Sequence, residues 1–288
     1  MLGQINIFGK TKLEATLDKI KAFEPTEGYY LAFSGGKDSQ CIYHLCEMAG
    51  VKFDAHYRVT SVDPPELVQF IKNQYPDVAR EVPRDKDGKP ITMWNLIPKK
   101  KMPPTRMVRY CCSELKESGG RGRVTMTGVR WAESSNRKNN QGLVTIIGKS
   151  KTTQKMLEDE HVNFTRTHRG GVVLNLDNDD ERRAVELCYR TRKTLVNPII
   201  DWSDDEVWEF LNDIVKTPHC CLYDKGFKRI GCIGCPLGGS SGMKKDFVQW
   251  PVYKKMYMRA FSKMLKSGRE YREWEVAEDV MKWWLKGD

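Results

Sequence analysis

Apolar residues recur at three- and four-residue spacing at Leu13, Leu17, Ile20 and Phe23, which predicts an amphipathic helix over 11–24, ended by Pro25. Tyr29 to Phe33 is an uncharged aromatic and apolar run that suits a short buried strand. Ser34-Gly35-Gly36 breaks it, and a helix starting at Asp38-Ser39 carries Ile42, Leu45 and Met48 to Gly50. Val51 to Tyr57 alternates as a second strand ending at Thr60-Ser61-Val62-Asp63. Pro64-Pro65-Glu66 then opens a helix to about Gln74, with proline where its missing N–H is harmless. Val78 to Val82 reads as a weak third strand stopped by Pro83, and Val124 to Val129 as a β-branched fourth. Strands alternating with helices predict an α/β fold, a Rossmann-like parallel sheet with helices on both faces. Ligands should gather beyond the carboxyl ends of its strands, where Ser34 to Ser39 already sits.

The remaining stretches are less periodic. Asp85 to Pro104 is polar and rich in Pro, Gly and Lys and reads as a solvated loop, while the segment after Cys111 looks helical. Residues 138–192 read as an insertion, a lid or a substrate-binding excursion. Val196 to Trp202 returns to the core, and Ser203 with Glu206 forms a capping-box pattern before a helix faced by Val207, Phe210, Leu211 and Ile214. From about Met243 the pattern is helical, and Trp250, Tyr253, Tyr257, Phe261 and Leu265 fit helix packing better than an exposed face. The expected organisation is a nucleotide-binding domain over 1–242, including the N-terminal helix and the insertion. A helical extension over 243–288 packs on it.

Composition narrows the class. The 288 residues are 40% hydrophobic, 10% aromatic and 30% charged, enough for a real core in a soluble protein. No stretch approaches the roughly 20 apolar residues of a membrane span, and the first residues carry no export signal. The nine cysteines cluster in pairs, which points to metal or thiol chemistry in a reduced, cytoplasmic setting rather than to disulfides. A formal net charge of +10 invites a polyanion such as tRNA or DNA on a basic surface, although a solvated surface gives the same count.

The Ser34-to-Ser39 turn carries the first chemical signal. Gly35 and Gly36 between strand and helix present bare N–H groups, and the helix N-terminus adds partial positive charge, which suits a phosphate or pyrophosphate. Lys37 supplies a cation, Ser34 and Ser39 supply hydroxyls, and Asp38 suits either Mg²⁺ or a helix cap. The spacing is not that of a Walker A loop. Ser-Gly-Gly-Lys-Asp-Ser instead resembles the PP-loop of the ATP pyrophosphatase superfamily, enzymes that cleave ATP between the α and β phosphates.

Cys111-Cys112 with Cys232-Ile233-Gly234-Cys235 is the second signal, two thiol pairs able to complete four ligands. Zinc and an iron–sulfur cluster both satisfy that count; adjacent cysteines tilt it towards the wider cluster, and a redox dithiol at Cys232/Cys235 is the competitor. Cys41, Cys46 and Cys188 sit in apolar helical contexts as small core residues. Cys220 and Cys221 suit a substitute ligand, a persulfide carrier or a buried structural role.

Arg109-Tyr110-Cys111-Cys112, Lys116, Gly128-Val129-Arg130, Glu133-Ser134, Arg137, Asn197-Pro198-Ile199 and Gly231 to Cys235 follow the Ser-Gly-Gly loop in order. That series resembles the phosphoadenosine/adenosine phosphosulfate (PAPS/APS) reductase family, in patches from about residue 28 to 240. The resemblance is nearest the branch of assimilatory APS reductases and Dnd-type DNA phosphorothioation proteins. It implies a [4Fe–4S] cluster on Cys111, Cys112, Cys232 and Cys235, and an adenine nucleotide (ATP, PAPS or APS) with Mg²⁺ at Ser34, Gly35, Gly36, Lys37, Asp38 and Ser39. Arg130 and Arg137 are implied as phosphate clamps, and Asp63 and Glu66 as neighbours of the ribose. The family's reductases use a nucleophilic cysteine near the C-terminus, and no cysteine follows Cys235 here. An ATP-dependent sulfurtransferase acting on nucleic acid is therefore the leading expectation, with Lys37, Asp38, Cys220 and Cys221 in catalytic roles and a cysteine desulfurase as sulfur donor. Alternatives are a PAPS/APS reductase served by thioredoxin, and a non-catalytic nucleotide-binding relative.

Overall fold

In the computed structural model the described residues are 2–5, 9–147, 154, 155, 157, 158, 161–167, 171–174, 182, 185, 193–268 and 273–286. Cys188 lies outside them. Helix α1 (Lys12–Ala22) begins at a capping box in which Thr11 and Glu14 each satisfy the other's backbone N–H. Strand β1 (Tyr29–Phe33) leads through the glycine turn into α2 (Lys37–Ala49), which Gly50 closes at a φ of 69°, a left-handed cap. Next come β2 (Phe53–Arg58), α3 (Pro65–Gln74) and β3 (Ala79–Glu81). After them come α4 (Met93–Lys100), α5 (Tyr110–Leu115) and β4 (Thr125–Met126). Helix α6 (Ser135–Asn140) is followed by β5 (Val144–Ile147), β6 (Thr165–Arg166), β7 (Val172–Leu174) and β8 (Lys193–Val196). The chain closes with α7 (Asp204–Glu209), α8 (Gly239–Gln249), α9 (Pro251–Lys266) and α10 (Ala277–Lys286).

The strands form one sheet in the order β3-β2-β1-β4-β8-β5-β7-β6. Pairing is parallel between β1 and β2, β1 and β4, and β4 and β8. Progress from β1 to β3 runs to one side and the return to β4 runs to the other. Right-handed crossovers therefore place helices on both faces and put the topological switch between β1 and β4. The fold is the expected α/β, Rossmann-like architecture.

Two stretches depart from expectation. Within the polar segment 85–104, Thr92 caps α4, whose Met93, Leu96 and Ile97 are buried at helical spacing; the lysines and Pro98 around them hid that short face. Strands β5, β6 and β7 of the supposed insertion extend the sheet in antiparallel pairing beyond β8. Val144, Ile146 and Val172 are at most 2% exposed, so these strands contribute core.

The chain forms two compact units, each assembled from separated segments: Met1–Tyr57, Asn73–Ala79 and Gly120–Cys220 in the first, Arg58–Lys72, Arg80–Gly119 and Cys221–Asp288 in the second. Residues 221–242 thus group with the C-terminal helices. In the first unit Leu31, Ile42, Leu45 and Phe210 are fully buried, as are Cys41 and Cys46, which fill core space as expected. In the second, α4 and α10 both pack on α9. Tyr257, 1% exposed, stands among the rings of Trp94, Phe247 and Trp284 at centroid distances of 5.2, 5.6 and 4.8 Å. Trp250, Tyr257 and Phe261 are buried, as their spacing suggested, while Tyr253 and Leu265 are half-buried. No described helix is long and apolar enough to cross a membrane.

Candidate functional site

Gly35 adopts a φ of +72°, open to glycine without strain, and turns the chain from β1 into α2. Ser39 closes the loop: its Oγ donates to the Gly36 carbonyl at 2.8 Å and accepts from the Ser34 N–H at 3.2 Å. Gly36 is the N-cap and no side chain caps the helix; the Ser39 N–H turns back to the Gly36 carbonyl at 3.0 Å, and the partial positive charge of the uncapped helix start suits an anion. Asp38 is not a cap. Its carboxylate accepts from Arg130 Nε at 2.7 Å and pairs with Lys37 Nζ at 3.4 Å.

Arg130 follows β4 on the other side of the switch point. Its side chain is 1% exposed, and its remaining nitrogens donate to the Trp202 carbonyl at 3.1 Å and to Asp204 Oδ1 at 2.5 Å. Asp204 Oδ1 also pairs with Lys37 Nζ at 3.1 Å. Two cations and two carboxylates thus interlock over the first turn of α2. Burial raises the Asp204 carboxyl pKa, but hydrogen bonds from Lys37 and Arg130 outweigh it and hold the group below the usual carboxylate range. Backbone approach here is close. A Cβ on Gly128 would stand 2.7 Å from the Asp38 carbonyl oxygen. Asn197, fully buried, donates to the Gly142 carbonyl at 2.7 Å and accepts from Thr127, tying the β4 and β8 ends together. Arg137 lies on α6, paired with Glu133, whose carboxylate also accepts from the Arg130 N–H at 3.2 Å.

The structure therefore joins Lys37, Asp38 and Arg130 and adds Asp204, which sequence reasoning missed because it reads only as the residue after a helix cap. Asp63 and Glu66 belong to the second unit. Asp63 accepts from the Thr60 N–H at 3.1 Å, and Glu66 accepts from Trp250 Nε1 at 3.1 Å.

All four paired cysteines also lie in the second unit. Cys111 and Cys112 occupy the first turn of α5, and Cys232 and Cys235 flank a turn closed by a bond from Cys235 N–H to Cys232 O at 3.2 Å. Gly234 has a φ of +70°, and a Cβ there would meet Phe247 Cζ at 2.8 Å, so only glycine lets the ring pack on the turn. Asp246 accepts the Gly234 N–H at 2.9 Å, and Tyr257 donates to the Ile233 carbonyl at 2.9 Å.

These thiols sense one another. The bond Cys111 shares with Cys112 raises the first thiol's pKa and lowers the second's, and Cys232 and Cys235 raise Cys111 further. Burial pushes Cys232 up to about 11 against the pull of Lys116, whose ammonium Cys232 in turn holds above its usual range. Among the described residues no three Cys, His, Asp or Glu side chains are gathered as ligands of one metal ion. Four thiols on two turns, with the Lys116 ammonium beside Cys232, have the chemistry to fit a wider, anionic polynuclear centre. Cys220 is fully buried and Cys221 is exposed.

A Ser-Gly-Gly turn at the switch point of a mostly parallel sheet, with a lysine and an uncapped helix start, defines a PP-loop nucleotide-binding enzyme class. The chain belongs to the phosphoadenosine phosphosulfate reductase domain family, whose model matches residues 28–237. An adenosine 5'-phosphosulfate reductase of Oceanobacillus iheyensis is 32% identical over 74 residues, which cover 25% of this chain and 27% of that protein. An uncharacterised protein of Methanocaldococcus jannaschii is 33% identical over 90 residues, 30% of this chain and 20% of that protein. The matches thus span well under a third of these relatives' lengths. Among solved structures, an FMN adenylyltransferase of Candida glabrata aligns with a TM-score of 0.40 at 14% identity, covering 77% of this chain and 61% of that one.

Proposed function

We propose that the chain is an ATP-dependent sulfurtransferase of the PP-loop type. The observation that carries this reading is the Lys37–Asp38–Arg130–Asp204 array over the uncapped start of α2. The triphosphate lies over Gly35 and Gly36 and draws Lys37 away from Asp204, whose side chain is 67% exposed and readily resolvated. Asp38 and Asp204 are the carboxylates nearest that tail and the candidates for a Mg²⁺ carried with it. An acceptor oxygen attacks the α-phosphorus, the bond to the bridging oxygen of the β-phosphate breaks, and pyrophosphate leaves into the cradle, neutralised by Lys37. Sulfur at the sulfide level then attacks the adenylated carbon; its C–O bond breaks, C–S forms and AMP departs. Arg130, engaged on all sides, sets the positions of Asp38 and Asp204 rather than reaching for phosphate. Cys111, Cys112, Cys232 and Cys235 would hold a [4Fe–4S] cluster, which supplies an anionic, polarisable centre when bound.

Incubation with ATP and an acceptor should release pyrophosphate and AMP, and Lys37→Ala should slow release by about 10²-fold. No pyrophosphate, with sulfite formed from APS and a thioredoxin, would establish the second reading, sulfonucleotide reduction. The match to an APS reductase favours that alternative. There a thiolate attacks the sulfur of APS, the S–O bond breaks, AMP leaves, and the dithiol frees sulfite as it is oxidised. Of the described cysteines outside the two pairs only Cys221 is exposed enough to serve.

A further inference from the structure

Between Lys225 and Gly268 stand ten lysines and arginines and a single acid, Asp246, so this segment carries +9 of the chain's formal net charge of +10. We infer that α8 and α9 form a docking surface for a nucleic-acid strand. Lys255, Arg259 and Lys263 are exposed at four-residue spacing, one stripe over about 12 Å of the α9 axis. Lys244 and Lys245 are exposed on α8, which joins α9 through the single residue Trp250. No ion pair among the described residues engages any of these five cations. Their charge is uncompensated, the footprint of a polyanion partner.

A groove of about 650 Å³ lies against the α8 lysines, walled by Phe227, Ser240, Ser241, Val248 and Gln249. Its size suits one nucleotide unit, the Phe227 ring offers a stacking face, and the serines and glutamine offer hydrogen bonds to a base edge. An anionic bilayer fits less well. Tyr257, Phe261 and Met264 of α9 are at most 1% exposed, and the exposed valines of α8 and α9, Val248 at 83% and Val252 at 62%, are short and make too small a face to insert. The inference deepens the proposed function by naming the acceptor class and rests on it for the chemistry alone. Binding is read without ATP, so its failure is distinct from a failure of ATP cleavage.

The test is fluorescence anisotropy of the full chain with a labelled 20-nucleotide single-stranded oligonucleotide over graded KCl. With about five phosphate contacts, affinity should fall about 100-fold between 50 and 200 mM salt. Lys255→Gln with Arg259→Gln and Lys263→Gln should flatten the log–log salt slope by about 2. Phe227→Ala should weaken binding about tenfold with the slope unchanged. Lys19→Gln with Lys21→Gln and Lys52→Gln removes the same charge elsewhere and should leave binding intact. Equal losses in the two triple variants, a salt-independent affinity, or binding to phosphatidylserine vesicles but not to the oligonucleotide would each overturn the inference.

Discussion

Each guanidinium nitrogen group of Arg130 donates to a different acceptor, so one side chain decides where Asp38, Asp204 and the Trp202 carbonyl stand. Arg130→Met leaves Asp38 and Asp204 with Lys37 but without the buried guanidinium they share, and should cost about 3 kcal/mol in urea unfolding. Asp204→Asn should cost under about 1 kcal/mol, because that carboxylate is largely solvated. Gly128→Ala tests the close approach of two backbones: a methyl 2.7 Å from the Asp38 carbonyl should destabilise by about 1–3 kcal/mol, read in the same denaturation. The glycine turn was legible in the sequence because its chemistry is local. Asp204 was not, since nothing near it in the chain marks a partner for Lys37.

Helix starts are the best-read elements. Ser203 and Glu206 form the expected capping box on α7, and Lys12 adds an ion pair to Glu206 at 2.8 Å. Burial raises the Glu206 pKa, but bonds from Lys12 and Ser203 outweigh it and hold it below the ordinary glutamate value. The unfolded chain therefore binds this proton more readily, and the stabilisation, present above the unfolded pKa, is lost as pH falls through the folded one. Melting temperature should drop as pH is lowered below about 4.5, and Glu206→Gln should shrink that drop. The second unit's helices are joined by rings instead. Trp284, 3% exposed, packs on Tyr257 and donates to the Pro104 carbonyl at 2.7 Å, so Trp284→Ala should cost about 3–5 kcal/mol by denaturant unfolding. Helix α4 escaped the sequence because three apolar residues among lysines and a proline give too short a period.

Taken whole, the chain divides its chemistry: the phosphate cradle lies in one compact unit and all four paired cysteines in the other. Anaerobically purified protein should be brown with bound iron under the proposed reading, and Cys235→Ser should lose that iron by colorimetric assay. Iron retained in that variant would refute the ligand set; a colourless protein holding zinc would refute the cluster.

By itself the sequence determined the alternation of strand and helix, the Ser-Gly-Gly turn, the helix caps and the thiol pairs, because each depends on residues within a few positions of one another. Only the tertiary structure decided the strand order that puts β4 beside β1, the interlocking of Lys37 and Arg130 with Asp204, and the admission of Val144–Ile147, Thr165–Arg166 and Val172–Leu174 to the sheet. These rest on contacts between segments far apart in the chain, and such contacts are settled by packing and charge pairing, which leave no periodic trace in the sequence.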